Sequence, residues 1–323
     1  MKKYAVDPSV TPRRHGVKSS LGAAFALMLA FLVAAPFAVY PVFLMKALCF
    51  ALFACAFNLL IGYVGLLSFG HALFFGWASY VAAHAAKVWA LSPELSIAVG
   101  MATAAVFGVI AGGLAIRRQG IYFSMITLAL AQMMYFFALQ AKFTGGEDGI
   151  QGVPRGRLFG IFDLSGETAM YAFVLVVMLA GFLLIYRIIN SPFGEVLKAI
   201  RENEQRAISL GYRTERYKLM AFVLSATLAG LAGSLKALVF QLASLTDVHW
   251  TMSGDVILMT LLGGLGTIFG PVAGAFVVVA MQNYLAPFGQ WVLVIQGAIF
   301  VVCVLIFRRG IVGELARVLR VPL

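Results

Sequence analysis

TAMYAFVLVVMLAGFLLIYRIINSPFGEVLKAIRENEQRAISLGYRTERYKLMAFVLSATLAGLAGSLKALVFQLA, residues Thr168–Ala243, is a long apolar run, a charged island and a second long apolar run. Each run is about the 20 residues that a helix needs to cross the hydrocarbon core of a bilayer. The island, Ser191–Lys218, holds Glu195, Glu202, Glu204 and Glu215 with Lys198, Arg201, Arg206, Arg213, Arg216 and Lys218. Only 11% of the 323 residues are charged, so this one stretch carries about a quarter of all the charges. Ionic surface concentrated in one compact loop between spans is surface offered to a partner in the water.

Composition extends that reading to the whole chain. Hydrophobic residues make up 62% of it, where soluble domains run near half apolar and a quarter charged. The apolar runs are long, and the alternating ten-residue segments of a membrane barrel are absent. The fold class is therefore all-α and polytopic, with the lipid bilayer as its surroundings. A net charge of +11 could suggest nucleic acid. The basic residues gather at run ends and in two loops, however, as the positive-inside rule requires, and no nucleic-acid partner is expected. Cys49, Cys55 and Cys303 lie inside apolar runs, without CxxC spacing or histidine neighbours. They read as small core hydrophobes, with no metal site implied.

Along the chain, residues 1–20 read as a basic cytoplasmic tail and 21–307 as the membrane domain. Apolar runs fall at Leu21–Tyr40, Val42–Ile61, Leu66–Ala86, Leu95–Ile116, Gly120–Ala141, Thr168–Ile189, Leu219–Ala243, Gly254–Leu285 and Trp291–Phe307. Residues 142–167 form a polar, glycine-rich outer loop, 190–218 the inner loop, and 308–323 a cytoplasmic tail. The positions of Arg117–Arg118, Arg187 and Arg308–Arg309 place both termini and the island on the cytoplasmic side. The 32-residue run Gly254–Leu285 is too long for one crossing, and parity demands an even number. Two short helices meeting at GGLGTIFGP, Gly263–Pro271, satisfy both, giving about ten crossing or half-crossing segments.

Ser191 followed by Pro192 is a helix start, and Gly211 fits the end. Val196, Leu197, Ile200, Ala207 and Ile208 fall mostly on one face, interrupted at Asn203–Glu204. Such a helix lies on a bilayer or docks in a protein groove. The interleaved glutamates disfavour an anionic lipid surface. An ordinary solvated loop remains equally open on composition alone.

KAIRENEQRAISLGYRTERYKLMAFVLSATLAGLAGSLKAL, Lys198–Leu238, resembles the cytoplasmic loop and following helix of branched-chain amino-acid ABC importer permeases, the larger of their two permease subunits most closely. TGGEDGIQGVP (Thr144–Pro154), GDVILMTLLGGLGTIFGPVAGA (Gly254–Ala275) and NLLIGYVGLLSFGHALFFGWASY (Asn58–Tyr80) extend the resemblance in the same order. It implies that the island carries a coupling helix seated in a cleft of an ATP-binding subunit. Arg201, Glu202, Asn203 and Glu204 would be the contact face, with Gly211 as the closing turn. It also implies a second, related permease subunit, a periplasmic substrate-binding protein and the bacterial inner membrane. Lys236 departs from the pattern, where an uncharged or aromatic residue is expected.

Asn58–Tyr80 carries four glycines with Asn58, Ser68 and His71 as polar members. Glycines permit close helix approach, and several together allow a span to break beside a cavity. Asn58, Ser68, His71, Gly263, Gly264 and Gly266 are accordingly candidate pathway or gate residues; tight packing and a hydrogen-bonded structural histidine are the plain alternatives. GGLGTIFGP is off by one from a dinucleotide fingerprint and lacks an acidic partner, so a turn between half-helices explains it better. In the outer loop, Glu147 and Asp148 are candidates for docking the binding protein, and two carboxylates alone make a weak calcium site. Lys236, some six residues from its helix end, is read as snorkelling.

No GxxxxGK[ST] loop is present, so this chain has no nucleotide site of its own; a partner subunit would bind ATP and magnesium. HExxH, GxSxG and paired intramembrane acids are absent too, so the chain does not read as an enzyme. An ion-coupled transporter or channel usually leaves an acid in mid-span, and Glu94 and Asp255 lie near span ends. The leading expectation is a permease for an aliphatic amino acid. The same architecture for urea or a short amide, and a homodimer in place of a mixed pair, stay open.

Overall fold

The computed structural model describes residues 14–37, 39–289, 291–307 and 310–319. Thirteen α-helices account for nearly all of the regular structure among them. In chain order they are α1 (Arg14–Ala34), α2 (Pro41–Ile61), α3 (His71–Lys87), α4 (Pro93–Ala115), α5 (Ile121–Gln140), α6 (Glu167–Ile189), α7 (Pro192–Glu202), α8 (Glu204–Ser209), α9 (Thr214–Phe240), α10 (Trp250–Gly263), α11 (Gly270–Leu285), α12 (Trp291–Ile306) and α13 (Gly310–Leu319). Six segments, α2, α4, α5, α6, α9 and Gly270–Phe288, are long and apolar enough to cross a membrane. Two shorter apolar helical stretches, Ala24–Phe37 and Val294–Cys303, join them among the described residues, in line with the expected all-α polytopic fold.

Burial separates the centre of the bundle from its rim. The most apolar windows of α2 and α9 are 89% and 83% buried, against 22% to 39% for the other four. A helix apolar all round and buried by its own chain is a core helix; one apolar but uncovered faces lipid or another subunit. α9 packs on α2, α3 and α4, while α2 also packs on α6, α10 and α11. The central layer rests on aromatic packing such as Phe53 on Phe75, ring centroids 4.6 Å apart.

The run Gly254–Leu285 is two short helices, as expected. At 1.5 Å per residue α10 spans only about 21 Å, short of a roughly 30 Å core. α10 and α11 pack closely because Gly274 faces α10: a Cβ there would overlap the Met259 carbonyl oxygen.

The two ends of the bundle are built differently. At one end the strand β1 (Ile150–Gln151) pairs antiparallel with β4 (Leu242–Ala243), joining the Thr144–Pro154 loop to the segment after α9. β2 (Arg157–Leu158) and β3 (Phe162–Asp163) make a small hairpin beside it. Arg155 fastens this end further, donating to the carbonyls of Val239 at 3.0 Å and Ser165 at 3.3 Å. At the other end lie α7, α8, the turn between α10 and α11, and α13.

Several boundaries differ from the sequence expectation. α1 begins at Arg14, inside the stretch read as a tail, and residues 1–13 lie outside the described residues. α13 occupies most of the segment read as a C-terminal tail; Arg308 and Arg309 lie outside the described residues. α9 starts at Thr214, so Glu215, Arg216 and Lys218 of the island belong to its first turns. The expected span Leu66–Ala86 is helical only from His71. Residues 66–70 run without helix, and α5 satisfies their backbone: Ser124 Oγ donates to Leu67 O at 2.6 Å, and Phe69 N donates to Thr127 Oγ1 at 3.2 Å. Irregular backbone in a membrane protein survives where protein supplies such partners.

Candidate coupling site and pathway residues

The island folds as two helices. Ser191 Oγ accepts from Gly194 N at 3.3 Å, and Pro192 opens α7. α7 stops because Asn203 adopts extended backbone, φ −158° and ψ 98°, and caps the next helix by accepting from Arg206 N at 3.0 Å. An asparagine offers the local backbone this alternative to continuing the helix. α8 ends at Ser209, and Gly211 turns the chain at φ +88°. Phe193 stacks on Tyr217 and Tyr212 meets Tyr217 edge-on, fixing both island helices against the start of α9.

Leu197, Ile200 and Ala207 of the expected apolar face are buried. Ile208 is not: it is 48% exposed, next to Leu210 at 71% and Tyr212 at 40%. The break at Asn203 rotates α8 away from the face that a single helix would have presented. The result is an apolar patch at the tip of the island, bordered by the exposed Arg206.

Of the four residues assigned to a contact face, two turn back onto their own chain. Arg201 Nη1 donates to the carbonyl oxygen of Gly62, just past the end of α2. Glu204 pairs with Lys218 of α9 at 2.5 Å and accepts from Gln119 Nε2, in the α4–α5 connection, at 2.9 Å. Arg201 nonetheless stays exposed, as do Glu202 and Asn203, while Glu204 is half-buried. The Lys198–Glu195 pair, at 2.8 Å on the surface of α7, adds little.

The candidate gate residues divide into two groups. Asn58, one turn before the end of α2, holds the α10–α11 turn: its Nδ2 donates to Thr267 O at 2.9 Å and its Oδ1 accepts from Gly266 N at 3.0 Å. Gly266 is at φ +73°, a conformation that glycine adopts without strain. Gly263 and Gly264 flank the same turn, and Gly310 at the head of α13 packs directly on Gly264. Arg201, Gly62, Asn58 and Gly266 are thus one continuous connection from the island to the broken helix. Ser68 and His71 lie apart from it. Ser68 Oγ accepts from Gly70 N at 3.2 Å. His71 Nε2 meets Ser225 Oγ at 2.9 Å, with Phe57, Phe74 and Phe222 edge-on around the ring.

At the opposite end Glu147 and Asp148 are exposed on a loop whose Gly145, Gly146, Gly149 and Gly152 all have positive φ. Lys87 Nζ holds that loop by donating to Gln151 O at 2.6 Å. Lys236 does not snorkel. It is buried and paired with Asp247 at 2.6 Å, while Asp247 also accepts from Ser244 N and Oγ, each at 3.2 Å. Sequence reasoning missed this pair because the partner lies 11 residues on, beyond the helix end and across a turn.

A family model described as branched-chain amino acid transport system / permease component matches residues 39–304. The high-affinity branched-chain amino acid transport system permease protein LivM of Escherichia coli K12 is 26% identical over 277 residues, which cover 79% of this chain and 65% of that protein. The match therefore spans less than two thirds of that relative's length. The probable branched-chain amino acid transport permease protein LivH of Methanocaldococcus jannaschii is 27% identical over 259 residues, 73% of this chain and 79% of that protein. The autoinducer 2 import system permease protein LsrC of Salmonella typhimurium is 29% identical over 168 residues, half of this chain and 47% of that protein. No solved structure matches this chain.

Proposed function

The chain belongs to the branched-chain amino acid transport permease family, and from that membership we propose that it is the transmembrane subunit of an ATP-driven importer for aliphatic amino acids. In this reading it lies in a bacterial cytoplasmic membrane, with the island and both termini inside. A soluble binding protein delivers substrate at the opposite end, where Glu147 and Asp148 are exposed. A second, related permease completes the pathway; relatives named LivM and LivH both match this chain, which supports a mixed pair. ATP and magnesium belong to separate subunits that grip the island.

The observation that carries this reading is the construction of the island. Its tip exposes Ile208, Leu210 and Tyr212 in an otherwise ionic loop. Exposed apolar groups rimmed by charge mark a protein contact better than a solvated loop does. Behind the tip, Arg201 and Asn58 join the island to the α10–α11 turn by hydrogen bonds. A partner that moves α7 and α8 therefore pulls on the end of α2 and the broken helix together. ATP binding in the partner would bias two arrangements of these helices by its different affinity for each.

Purification in mild detergent tests the reading. Wild-type protein should bring down an ATP-hydrolysing subunit, and Leu210→Asp should lose it while still reaching the membrane. Retention of the ATPase by Leu210→Asp removes the tip as the docking surface. Accumulation of substrate by this chain alone, driven by a proton or sodium gradient, overturns the reading itself.

A further inference from the structure

A second charged cluster lies away from the island, where α2, α9, α10 and α11 meet near the end that carries β1 and β4. A cavity of about 350 Å³ opens there, within the ~300–1,000 Å³ range of small-molecule sites. Its polar lining comes from Lys46 on α2, Lys236 and Asp247, Asp255 on α10 and Gln282 on α11. Phe50, Phe240 and Met252 supply apolar wall.

The charges in this cavity are not all paired with one another. Lys236 and Asp247 form a closed pair. Among the described residues Lys46 makes neither an ion pair nor a side-chain hydrogen bond; its Nζ lies 6.0 Å from the ring centre of Phe50. Among the described residues Asp255 makes no ion pair; its partners are amides, Gln282 Nε2 donating to it at 3.1 Å and Gln296 of α12 within hydrogen-bonding reach. Lys46 is the sixth residue of α2 and Asp255 the sixth of α10, so each lies within a helix; Asp255 is not near a span end as the sequence alone suggested, because α10 starts four residues before the apolar run. Charged residues in membrane helices are costly, and those that face a cavity mark a ligand path.

We infer that this cavity binds the backbone of a zwitterionic α-amino acid in transit, Lys46 receiving the carboxylate and Asp255 the ammonium. A cation and an anion that form no ion pair among the described residues, on the neighbouring helices α2 and α10, match a ligand that carries both charges on adjacent groups. Phe50, Phe240 and Met252 would take an aliphatic side chain, whereas urea or another neutral amide would leave both charges uncompensated. The inference rests on the amino-acid permease reading and adds to it: the permease, and not only a binding protein, selects for the zwitterion. Lys236 and Asp247 complete the wall as a pre-neutralised pair, adding no net charge to compete for substrate.

The test uses the complete importer in proteoliposomes with labelled leucine. Lys46→Gln should lower uptake roughly ten- to hundredfold, the range expected on losing a hydrogen bond to a charged group. Lys46→Arg should retain most of it, and ATP hydrolysis stimulated by loaded binding protein should persist in both. Full uptake by Lys46→Gln overturns the inference. A second measurement leaves the charges intact: Met252→Cys, on the cavity wall, is labelled by a maleimide in the assembled importer. Leucine should slow that labelling and urea should not; equal labelling with and without leucine also overturns it. Wild-type uptake of urea with none of leucine would instead overturn the amino-acid reading on which the inference stands.

Discussion

Arg201 and Gly62, 139 residues apart in the chain, meet through a hydrogen bond from the guanidinium to the backbone carbonyl at the end of α2. That carbonyl has no following helical turn to satisfy it, as is true of the last carbonyls of any helix. The bond ties the island to the core without using the exposed patch at the tip. Arg201→Ala should therefore leave ATPase binding intact while lowering the substrate moved per ATP hydrolysed. Its stability cost should be small, about 1–2 kcal/mol, because the guanidinium is partly solvated. Thermal unfolding and paired uptake and hydrolysis assays measure the two quantities separately.

Glu204→Lys distinguishes an internal anchor from a docking residue. Lys218 is buried and depends on Glu204 for its counter-charge. Reversing the charge sets two cations together, and breaking such a pair costs about 3–5 kcal/mol when it is buried, somewhat less here because Glu204 keeps some exposure. The double variant Glu204→Lys with Lys218→Glu should recover much of the lost thermal stability. If the double variant stays as unstable as the single one, the pair does not hold the island.

Asp247→Asn should be among the most damaging single changes at the opposite end. It leaves Lys236 buried without its partner, at a cost of about 3–5 kcal/mol. Replacing both, with Lys236→Met and Asp247→Leu, should restore the folded fraction, since an apolar pair of similar size is often neutral. Fluorescence-detected size exclusion of the detergent-solubilised protein reports the folded fraction for all three.

The long helices were legible because apolar length and terminal arginines are local signals. α6 falls within one residue of the run Thr168–Ile189, and the break between α10 and α11 lies inside GGLGTIFGP, although α10 starts at Trp250, four residues before the run Gly254–Leu285. The island was legible as helical from Ser191 and Pro192, and its division was only half visible at Asn203. Amphipathic spacing treats α7 and α8 as one helix, so it put Ile208 on the buried face. The cap at Asn203 resets the rotation and leaves Ile208 out. Which polar residues turn inward was not legible. Arg201, Glu204 and Lys236 find partners on other elements, and nothing in their neighbours along the chain announces Gly62, Lys218 or Asp247. Lys46 passed unremarked because a lysine a turn and a half from a helix start is usually a snorkelling one.

Gly274 tests the hairpin of α10 and α11. A methyl group there overlaps the Met259 carbonyl, so Gly274→Ala should cost about 1–3 kcal/mol by forcing the helices apart. Gly254, with open space around its Cβ position, should accept alanine at little cost. Parallel melting curves of the two variants show whether close approach, and not glycine content, sets the stability of this pair.

Motion of the island should reach the α10–α11 turn through Arg201, Gly62 and Asn58. Leu265, exposed at the tip of that turn, reports it directly when replaced by cysteine and labelled in the assembled importer with and without ATP. Labelling should change with nucleotide in the Leu265→Cys parent and lose that response when Arg201→Ala is added, with the ATPase still bound. An undiminished nucleotide response in the Arg201→Ala background would contradict the account.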